Sequence, residues 1–194
     1  MTTKAPDPAQ LAARLAGRAT QSASIRDQSR SVDETGRDLG LRIARNGTWF
    51  YHGSPITRKS LIRLFSTVLH RDETGVYWLI TPAERGVIVV DDAPFTAVEL
   101  TVEGEGRERA LRFRTNVDDE VVADAAHPIR VAVSEVSGEP RPYVLVREGL
   151  EALILRSVYY QLVELGEECA EAGHDAFGVW SRGVFFSLGQ LTTA

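Results

Sequence analysis

The sequence predicts an α+β fold of two small domains, and three observations carry this prediction. The chain has 194 residues, of which 43% are hydrophobic, so it is long enough for one or two domains with cores of their own. Short apolar runs typical of strands are separated by turns that contain glycine or proline. Helical patterns stand among these strands in unequal blocks, which favours an α+β arrangement over regularly alternating strands and helices.

Residues 1–37 are predicted to form an arm, partly helical or flexible, outside the two domains. This stretch is rich in Ala, Ser, Arg and Asp and holds few large hydrophobic residues, so it cannot build a core by itself. Pro8 is placed to begin a short helix through Leu11 and Leu15. Residues 20–36 have the composition of a loop.

The first domain is predicted to begin with a hairpin around Asn46–Gly47, the dipeptide favoured at type I′ turns. Thr57 is placed to N-cap a helix that runs to about His70 and keeps its apolar residues on one face. Two further strands follow, Val76–Ile80 and Val87–Val90. The amphipathic pattern indicates that the helix packs one face on these strands.

Two hairpins and a long helix are predicted for the second domain. Turns at Glu103–Gly106 and Ser137–Pro140 each separate two apolar runs, and a last strand lies near Gly183–Leu188. The stretch from Glu148 to about Glu168 is apolar nearly all round a helical wheel, which predicts a buried helix. The runs that flank the two turns are 96–102, 110–115, 129–134 and 142–146.

A weak internal repeat links the two domains. The order strand, glycine break, helix, turn and aromatic strand describes residues 48–80, and it also describes residues 142–188. At an offset of 93, Arg63 falls on Arg156 and Leu69 falls on Leu162. Two matches in a short window leave both duplication and chance open.

Arg156 is the most informative single residue of this sequence. In the predicted second helix it lies between Ala152, Tyr160 and Val163, so its guanidinium is expected to be partly buried. An unpaired buried charge is strongly unfavourable, so Arg156 is predicted to meet a carboxylate or an anionic ligand.

Composition excludes several classes of protein. The single cysteine, Cys169, allows neither an internal disulfide nor a cysteine-based zinc site, and a reducing cytoplasm is the predicted location. No apolar run is long enough for a membrane span, and no secretory signal is recognised. Of 22 basic residues only Lys4 and Lys59 are lysines, and neither stands in a phosphate-binding P-loop.

Charge is distributed unevenly along the chain. Residues 1–63 carry a balance of +6 and residues 64–194 a balance of −11, which gives the net charge of −5. A sequence pI near 5.4 argues against strong non-specific nucleic-acid binding. The basic third is predicted to meet either an acidic partner or the acidic remainder of the chain itself.

Signatures of catalysis and of metal binding are absent from the sequence. The four histidines are widely spaced, and no cofactor or metal is predicted. Acidic neighbours surround Cys169, which argues against a reactive thiol. Glu84 and Asp92 are candidates to accept hydrogen bonds from Arg63 or Arg156, while the run Asp118–Glu120 is interpreted as a solvated turn.

An ordered set of motifs runs through the first domain: Gly47–Tyr51, Gly53–Ile56, Arg63–Ser66, Leu79–Glu84 and Asp91–Phe95. With these motifs, the stretch from Arg42 to Phe95 resembles a bacterial family catalogued as domain of unknown function 1285. Further resemblance extends through Arg141–Val144, Val146–Arg147 and Leu155–Arg156 to the segment Trp180–Gly189, so that it covers about residues 38–189. Asn46, Arg85 and Ser187 depart from the expected pattern.

The resemblance implies a duplicated core in two domains, here 38–95 and 96–194, the second superficially like a pleckstrin-homology domain with an antiparallel sheet and a long helix. It also implies a cleft between the domains suited to a nucleotide-type ligand, and a role in signal transduction. It implies no settled activity.

The predicted function is therefore non-enzymatic binding of a small anionic, nucleotide-like ligand at the domain interface. Arginines are expected to hold its phosphate or carboxylate, aromatic side chains to stack on it, and carboxylates to orient the arginines. Two alternatives stay open: arginines and carboxylates that only pair with each other, and a hydrolase that uses Glu84 and Asp92. No membrane is expected as a partner, and a protein partner is left open. The predicted ligand-binding residues are Trp49, Arg63, Tyr77, Glu84, Asp92, Arg147 and Arg156.

Overall fold

The structure, a computed structural model, describes residues 7–10, 13, 36–82, 84–134, 138–171 and 174–190. The chain divides into two compact units, Met1–Asp92 (unit 1) and Ala93–Ala194 (unit 2). Residues 8–10 are helical, while Leu11 and Leu15 of the predicted arm helix lie outside the described residues. Within these described ranges, no helix is long and apolar enough to cross a membrane.

Unit 1 is built on one six-stranded sheet and a helix of nine residues. The bounds are β1 Arg37–Ile43, β2 Trp49–Tyr51, β3 Ser54–Pro55, α1 Lys59–Thr67, β4 Leu69–Arg71, β5 Tyr77–Ile80 and β6 Arg85–Val90. The strands lie in the order β3–β2–β1–β6–β5–β4. Neighbours are antiparallel except β1 and β6, which are parallel.

The predicted β1–β2 hairpin is confirmed, but its turn is not of type I′. Ala44 N donates to Thr48 O at 2.9 Å and Gly47 N donates to Ala44 O at 2.8 Å, so three residues form the loop. Gly47 has a φ of 80°, whereas Asn46 lacks the positive φ that a type I′ turn requires. Glycine at the left-handed position of a three-residue loop closes the hairpin instead.

Helix α1 is shorter than the sequence predicts. Arg58, not Thr57, is its N-cap residue, and no side chain caps it. The helix ends at Thr67, and His70 lies in β4 opposite Trp78 of β5. Pairing with β5 decides the conformation of Leu69–Arg71, a long-range effect that the local helical pattern cannot contain.

The core of unit 1 forms where α1 packs on the sheet. Phe65 of the helix and Trp49 of β2 are fully buried, and their ring centroids lie 6.1 Å apart. Strands β1 and β5 contribute the other large side chains with almost no exposure, Leu41, Ile43 and Leu79. Burial of these apolar side chains is the main source of this unit's stability.

Unit 2 consists of a six-stranded sheet, a three-stranded sheet and a helix of nine residues. The bounds are β7 Phe95–Glu103, a 3-10 helix Gly106–Glu108, β8 Ala110–Thr115, β9 Glu120–Val122, β10 Ile129–Val133, β11 Pro140–Arg147, β12 Leu150–Ile154, α2 Arg156–Glu164, β13 Glu167–Glu171, β14 His174–Ser181 and β15 Val184–Gln190. The strand orders are β10–β11–β12–β7–β8–β9 and β13–β14–β15. All pairs are antiparallel except β12 and β7.

The predicted long helix from Glu148 to Glu168 is wrong. Gly149, with a φ of 75°, turns the chain back into strand β12, and only the part from Arg156 is helical. In β12, Leu150, Ala152 and Ile154 are buried with a period of two. An apolar run of this kind fits a buried strand as well as a buried helix, so the wheel pattern alone could not decide between them.

Ser181 connects the two sheets of unit 2. Its hydroxyl accepts a hydrogen bond from Leu111 N at 3.0 Å and donates to Ala123 O at 2.6 Å. Ser181 and Ala123 are both fully buried. This buried hydroxyl satisfies two backbone groups of the larger sheet from the smaller one.

Candidate functional site

Five of the seven predicted ligand-binding residues lie in unit 1 and two lie in unit 2. Trp49, proposed as a stacking face, is fully buried, and its indole packs against Phe65. It is therefore a core residue of unit 1, and the prediction of an open stacking face at this position is wrong.

Arg63 and Tyr77 occupy separate elements of unit 1. Arg63 is exposed on α1. Tyr77 is half-buried on β5, where the Arg71 guanidinium carbon lies 5.5 Å from its ring centroid. Tyr77 thus already stacks with a cation of its own unit.

One predicted carboxylate, Glu84, and the chain neighbour of the other, Asp91, each meet an arginine that the sequence did not single out. A Glu84 carboxylate oxygen lies 3.6 Å from Arg37. Next to Asp92, the neighbouring Asp91 accepts two hydrogen bonds from Arg42, one of them at 2.8 Å from Nε. The Arg42 guanidinium lowers the pKa of the Asp91 carboxyl and is itself held charged by that carboxylate.

Arg147 forms an ion pair inside unit 2. Its Nη1 donates to Asp119 Oδ2 at 2.8 Å, and its guanidinium carbon lies 5.2 Å from the ring centroid of Phe95. Asp119 belongs to the acidic run interpreted as a solvated turn, so its partner was missed. The turn is sharp because Asp118 adopts a φ of 64°, and it brings the neighbouring carboxylate to β11.

Arg156 is exposed, and the prediction that its guanidinium is partly buried is wrong. Because the chain becomes helical only at this residue, Arg156 is the first residue of α2 and not the middle of a buried helix. Its Nε donates to the hydroxyl of Tyr160 at 2.8 Å, and its guanidinium carbon lies 5.7 Å from that ring's centroid. Burial of an unpaired charge therefore no longer argues for a ligand at this position.

Tyr160 is the residue that the sequence analysis missed at this position. It lies one helical turn after Arg156, a spacing that brings two side chains together on a helix surface. Its side chain is 53% exposed. The spacing of four residues between Arg156 and Tyr160 is a signal for a contact on the helix surface. The sequence pattern instead predicts that Tyr160 packs around a buried charge.

Metal binding finds no support in this geometry. Across the part of the chain that the structure describes, no three His, Cys, Asp or Glu side chains come together in a way that could hold a metal ion.

Comparison with protein families assigns both units. Residues 33–93 match the N-terminal "domain of unknown function (DUF1285)", and residues 94–188 match the C-terminal domain of the "protein of unknown function (DUF1285)". The chain belongs to the DUF1285 family. The resemblance stated from the sequence motifs is thereby confirmed.

Solved structures of DUF1285 proteins agree with this assignment. A DUF1285 family protein from Silicibacter pomeroyi is 44% identical, with 97% of each chain covered and a TM-score of 0.79. A second, from Shewanella baltica, is 23% identical over 63% of this chain and 89% of its own, with a TM-score of 0.50, and supports the fold alone. No curated protein matches the chain.

Proposed function

We propose that this DUF1285 protein binds a small anionic, nucleotide-like ligand without catalysing a reaction, and that binding serves signal transduction in the cytoplasm. The observation that carries the proposal is the pair Arg156 and Tyr160 on the first turn and a half of α2. Both side chains are exposed, and the arginine is held by a tyrosine hydroxyl at 2.8 Å.

The chemistry of this pair matches two parts of a nucleotide. The Arg156 bond to Tyr160 uses Nε, so the two terminal nitrogens of the guanidinium lie outside that bond. The bond to Tyr160 and, to a smaller extent, the charge of Glu139 raise the pKa of the guanidinium. Such nitrogens bind phosphate in a bidentate fashion. The exposed ring of Tyr160 offers a face on which a base gains about 1–3 kcal/mol by stacking. The start of a helix also favours an anion.

The alternative that arginines and carboxylates only pair with each other has its own support. Arg147 with Asp119, Arg42 with Asp91 and Arg37 with Glu84 are all pairs within a single unit. Under this alternative, Arg156 is a surface residue without a ligand. The two hypotheses differ in one measurable property, which is the response of the folded protein to nucleotides.

The first experiment is a thermal-shift screen of nucleoside monophosphates and inorganic phosphate at fixed ionic strength. A true ligand raises Tm by about 5 °C or more when its free concentration is about 100 times Kd. Arg156→Ala is expected to abolish the part of the nucleotide shift that exceeds the shift with inorganic phosphate, and to leave the Tm of the ligand-free protein within about 1 °C, because an exposed side chain contributes little to stability.

Tyr160→Ala separates the two parts of the proposed site. It should weaken the binding of nucleotides, because the stacking face is lost, while the thermal shift with inorganic phosphate is retained. Arg45→Ala serves as the matched control, since Arg45 is also an exposed arginine but lies in unit 1. A nucleotide shift in excess of the shift with inorganic phosphate that survives Arg156→Ala, or no such excess with any nucleotide, contradicts the proposal and favours the pairing alternative.

We also propose that the two units arose by duplication, and that unit 2 is pleckstrin-homology-like. In support, each unit contains two antiparallel strands, a nine-residue helix and three antiparallel strands in this order. The helix starts are 97 residues apart, an offset that aligns buried Leu61 and Phe65 with buried Val158 and Leu162. At this offset Arg63 falls on Tyr160 instead of on Arg156.

A further inference from the structure

Two hairpin ends of unit 2 meet at three arginines, Arg107, Arg109 and Arg182, which we call the arginine cluster. The first two belong to the connection between β7 and β8, and the third to the two-residue turn between β14 and β15. Arg182 N donates to Arg109 O at 2.8 Å, and Gly183 N donates to Arg107 O at 2.9 Å. Backbone hydrogen bonds thus fix the three residues beside one another.

Arg109 carries a buried donor without an acceptor. Its Nε is inaccessible to solvent and has no hydrogen-bond partner among the residues that the structure describes. Buried donors in folded proteins nearly always have a partner. The preferred partner of a guanidinium is an oxyanion, which accepts two parallel hydrogen bonds. An oxygen atom supplied from elsewhere can satisfy this orphan donor once the half-buried Arg109 side chain turns its Nε toward the surface.

Arg107 is held in place by an aromatic ring. Its guanidinium carbon lies 4.3 Å from the ring centroid of Trp180, and that indole is only 6% exposed. Stacking on a buried ring restricts the arginine to few orientations. A charge that is already oriented loses little conformational entropy when it meets an anion.

Arg182 occupies a backbone position that is unfavourable for it. Its φ is 49° and that of Gly183 is 72°, so both central residues of this turn are left-handed, as in a type I′ turn. Asn, Asp or Gly is favoured at the first of these positions, and an arginine there is uncommon. A residue that the turn itself does not favour indicates a role for its side chain.

Two glutamates near the arginine cluster, Glu103 and Glu108, reduce its positive charge, and they differ in their contacts. Glu103 accepts from Arg112 at 3.1 Å, and this hydrogen bond, with a smaller electrostatic effect of Arg182, lowers the pKa of its carboxyl. Glu108 lies against the turn, with Oε1 3.1 Å from the place where a Cβ at Gly183 would stand. Glu108 is thus the anion that competes with a ligand.

We propose that the arginine cluster binds the phosphate group of a small phosphate monoester. Three guanidinium groups suit a ligand with three terminal oxygens and a charge of about −1.5 to −2 at neutral pH. This inference does not depend on the proposed function, because it involves neither Arg156 nor Tyr160 and lies on different elements of unit 2.

The test is an NMR titration of the full chain, with the Nε–Hε signal of Arg109 as the readout. At constant ionic strength, inorganic phosphate probes the group alone, glycerol phosphate probes the monoester and acetate probes a carboxylate. We expect saturable shifts of this signal and of the Gly183 amide with both phosphates. No saturable shift, saturation by inorganic phosphate alone, or an equal response to acetate overturns the proposal.

Three variants separate binding from structure. Arg182→Gly removes the charge while keeping a residue that tolerates positive φ, so Tm should not fall. It is expected to weaken phosphate binding about tenfold or more, the usual effect of losing a charge-assisted hydrogen bond. Glu108→Gln should strengthen binding, and Arg45→Ala should leave it unchanged. Wild-type affinity in Arg182→Gly overturns the assignment, whatever happens to nucleotide binding in Arg156→Ala.

Discussion

Two regions of unit 2 use their polar side chains in opposite ways. Around Ser181, a fully buried hydroxyl bonds a backbone N–H and a backbone C=O of the other sheet. At the start of α2, the charged and aromatic groups of Arg156 and Tyr160 both lie at the surface. Polar groups of the first kind hold the unit together, whereas those of the second kind are available to an outside molecule.

Arg147 stands between these extremes. Its ion pair with Asp119 spans β11 and the turn before β9, and each side chain is about one third exposed. An arginine that is conspicuous in the sequence can therefore be structural or available to a ligand, and only its partner distinguishes the two. Three experiments test this contrast, in order of decreasing expected effect.

The largest effect is expected from Ser181→Ala. The substitution leaves Leu111 N and Ala123 O buried without a partner, and a loss of about 1–3 kcal/mol in the free energy of unfolding follows. Chemical denaturation measures it. Ser187→Ala is the matched control, because Ser187 is an exposed serine on the next strand and its removal should change little. If the two variants are equally stable, Ser181 does not join the sheets.

A smaller effect is expected for the Arg147–Asp119 pair. A double-mutant cycle with Arg147→Ala and Asp119→Ala should give a coupling free energy of about 0.2–1 kcal/mol, the range for partly exposed ion pairs. High salt should reduce it. A coupling free energy of zero would show that Arg147 is not structural but, like Arg156, available to an outside molecule. Nucleotide binding should then be tested on Arg147→Ala as well.

The smallest effect concerns Asp72, a satisfied polar group of unit 1. Hydrogen bonds from Thr74 and Trp78 side chains lower the pKa of its carboxyl from 3.8 to about 2. Because the folded pKa lies below the unfolded one, ionised Asp72 stabilises the fold above pH 3.8, and this contribution is lost as pH falls to about 2.

Asp72→Asn isolates this contribution. The difference in unfolding free energy between wild type and variant should be constant at neutral pH and should shrink over the acid range. A difference that does not change with pH would show that the hydrogen bonds to Asp72 do not depend on its charge.

Local patterns predicted most of the strands correctly. The hairpins at Asn46–Gly47 and Glu103–Gly106 and the runs before and after them depend on neighbouring residues, and these elements form where expected. Prediction failed where distant pairing decides conformation. Leu150–Ile154 is a strand because it pairs with β11 and β7, and Leu69–Arg71 is a strand because it pairs with β5.

The candidate site was predicted less well than the fold. Residue type singled out Arg147 and Arg156, but it could not show that Arg147 meets Asp119 while Arg156 meets Tyr160. The aromatic ring of Trp49 predicted a stacking face, but the side chain is fully buried and cannot stack on a ligand. Partners and exposure depend on which elements pack together, and a single sequence does not record this directly.

The sequence by itself determined the membership of the DUF1285 family, the α+β composition and the turns, because motifs, periodicity and glycine positions act over a few residues. Only the tertiary structure decided where the second helix begins, which arginines are paired and that Arg109 keeps a donor without an acceptor. These properties arise from contacts between residues far apart in the chain, whose free energies exceed local preferences.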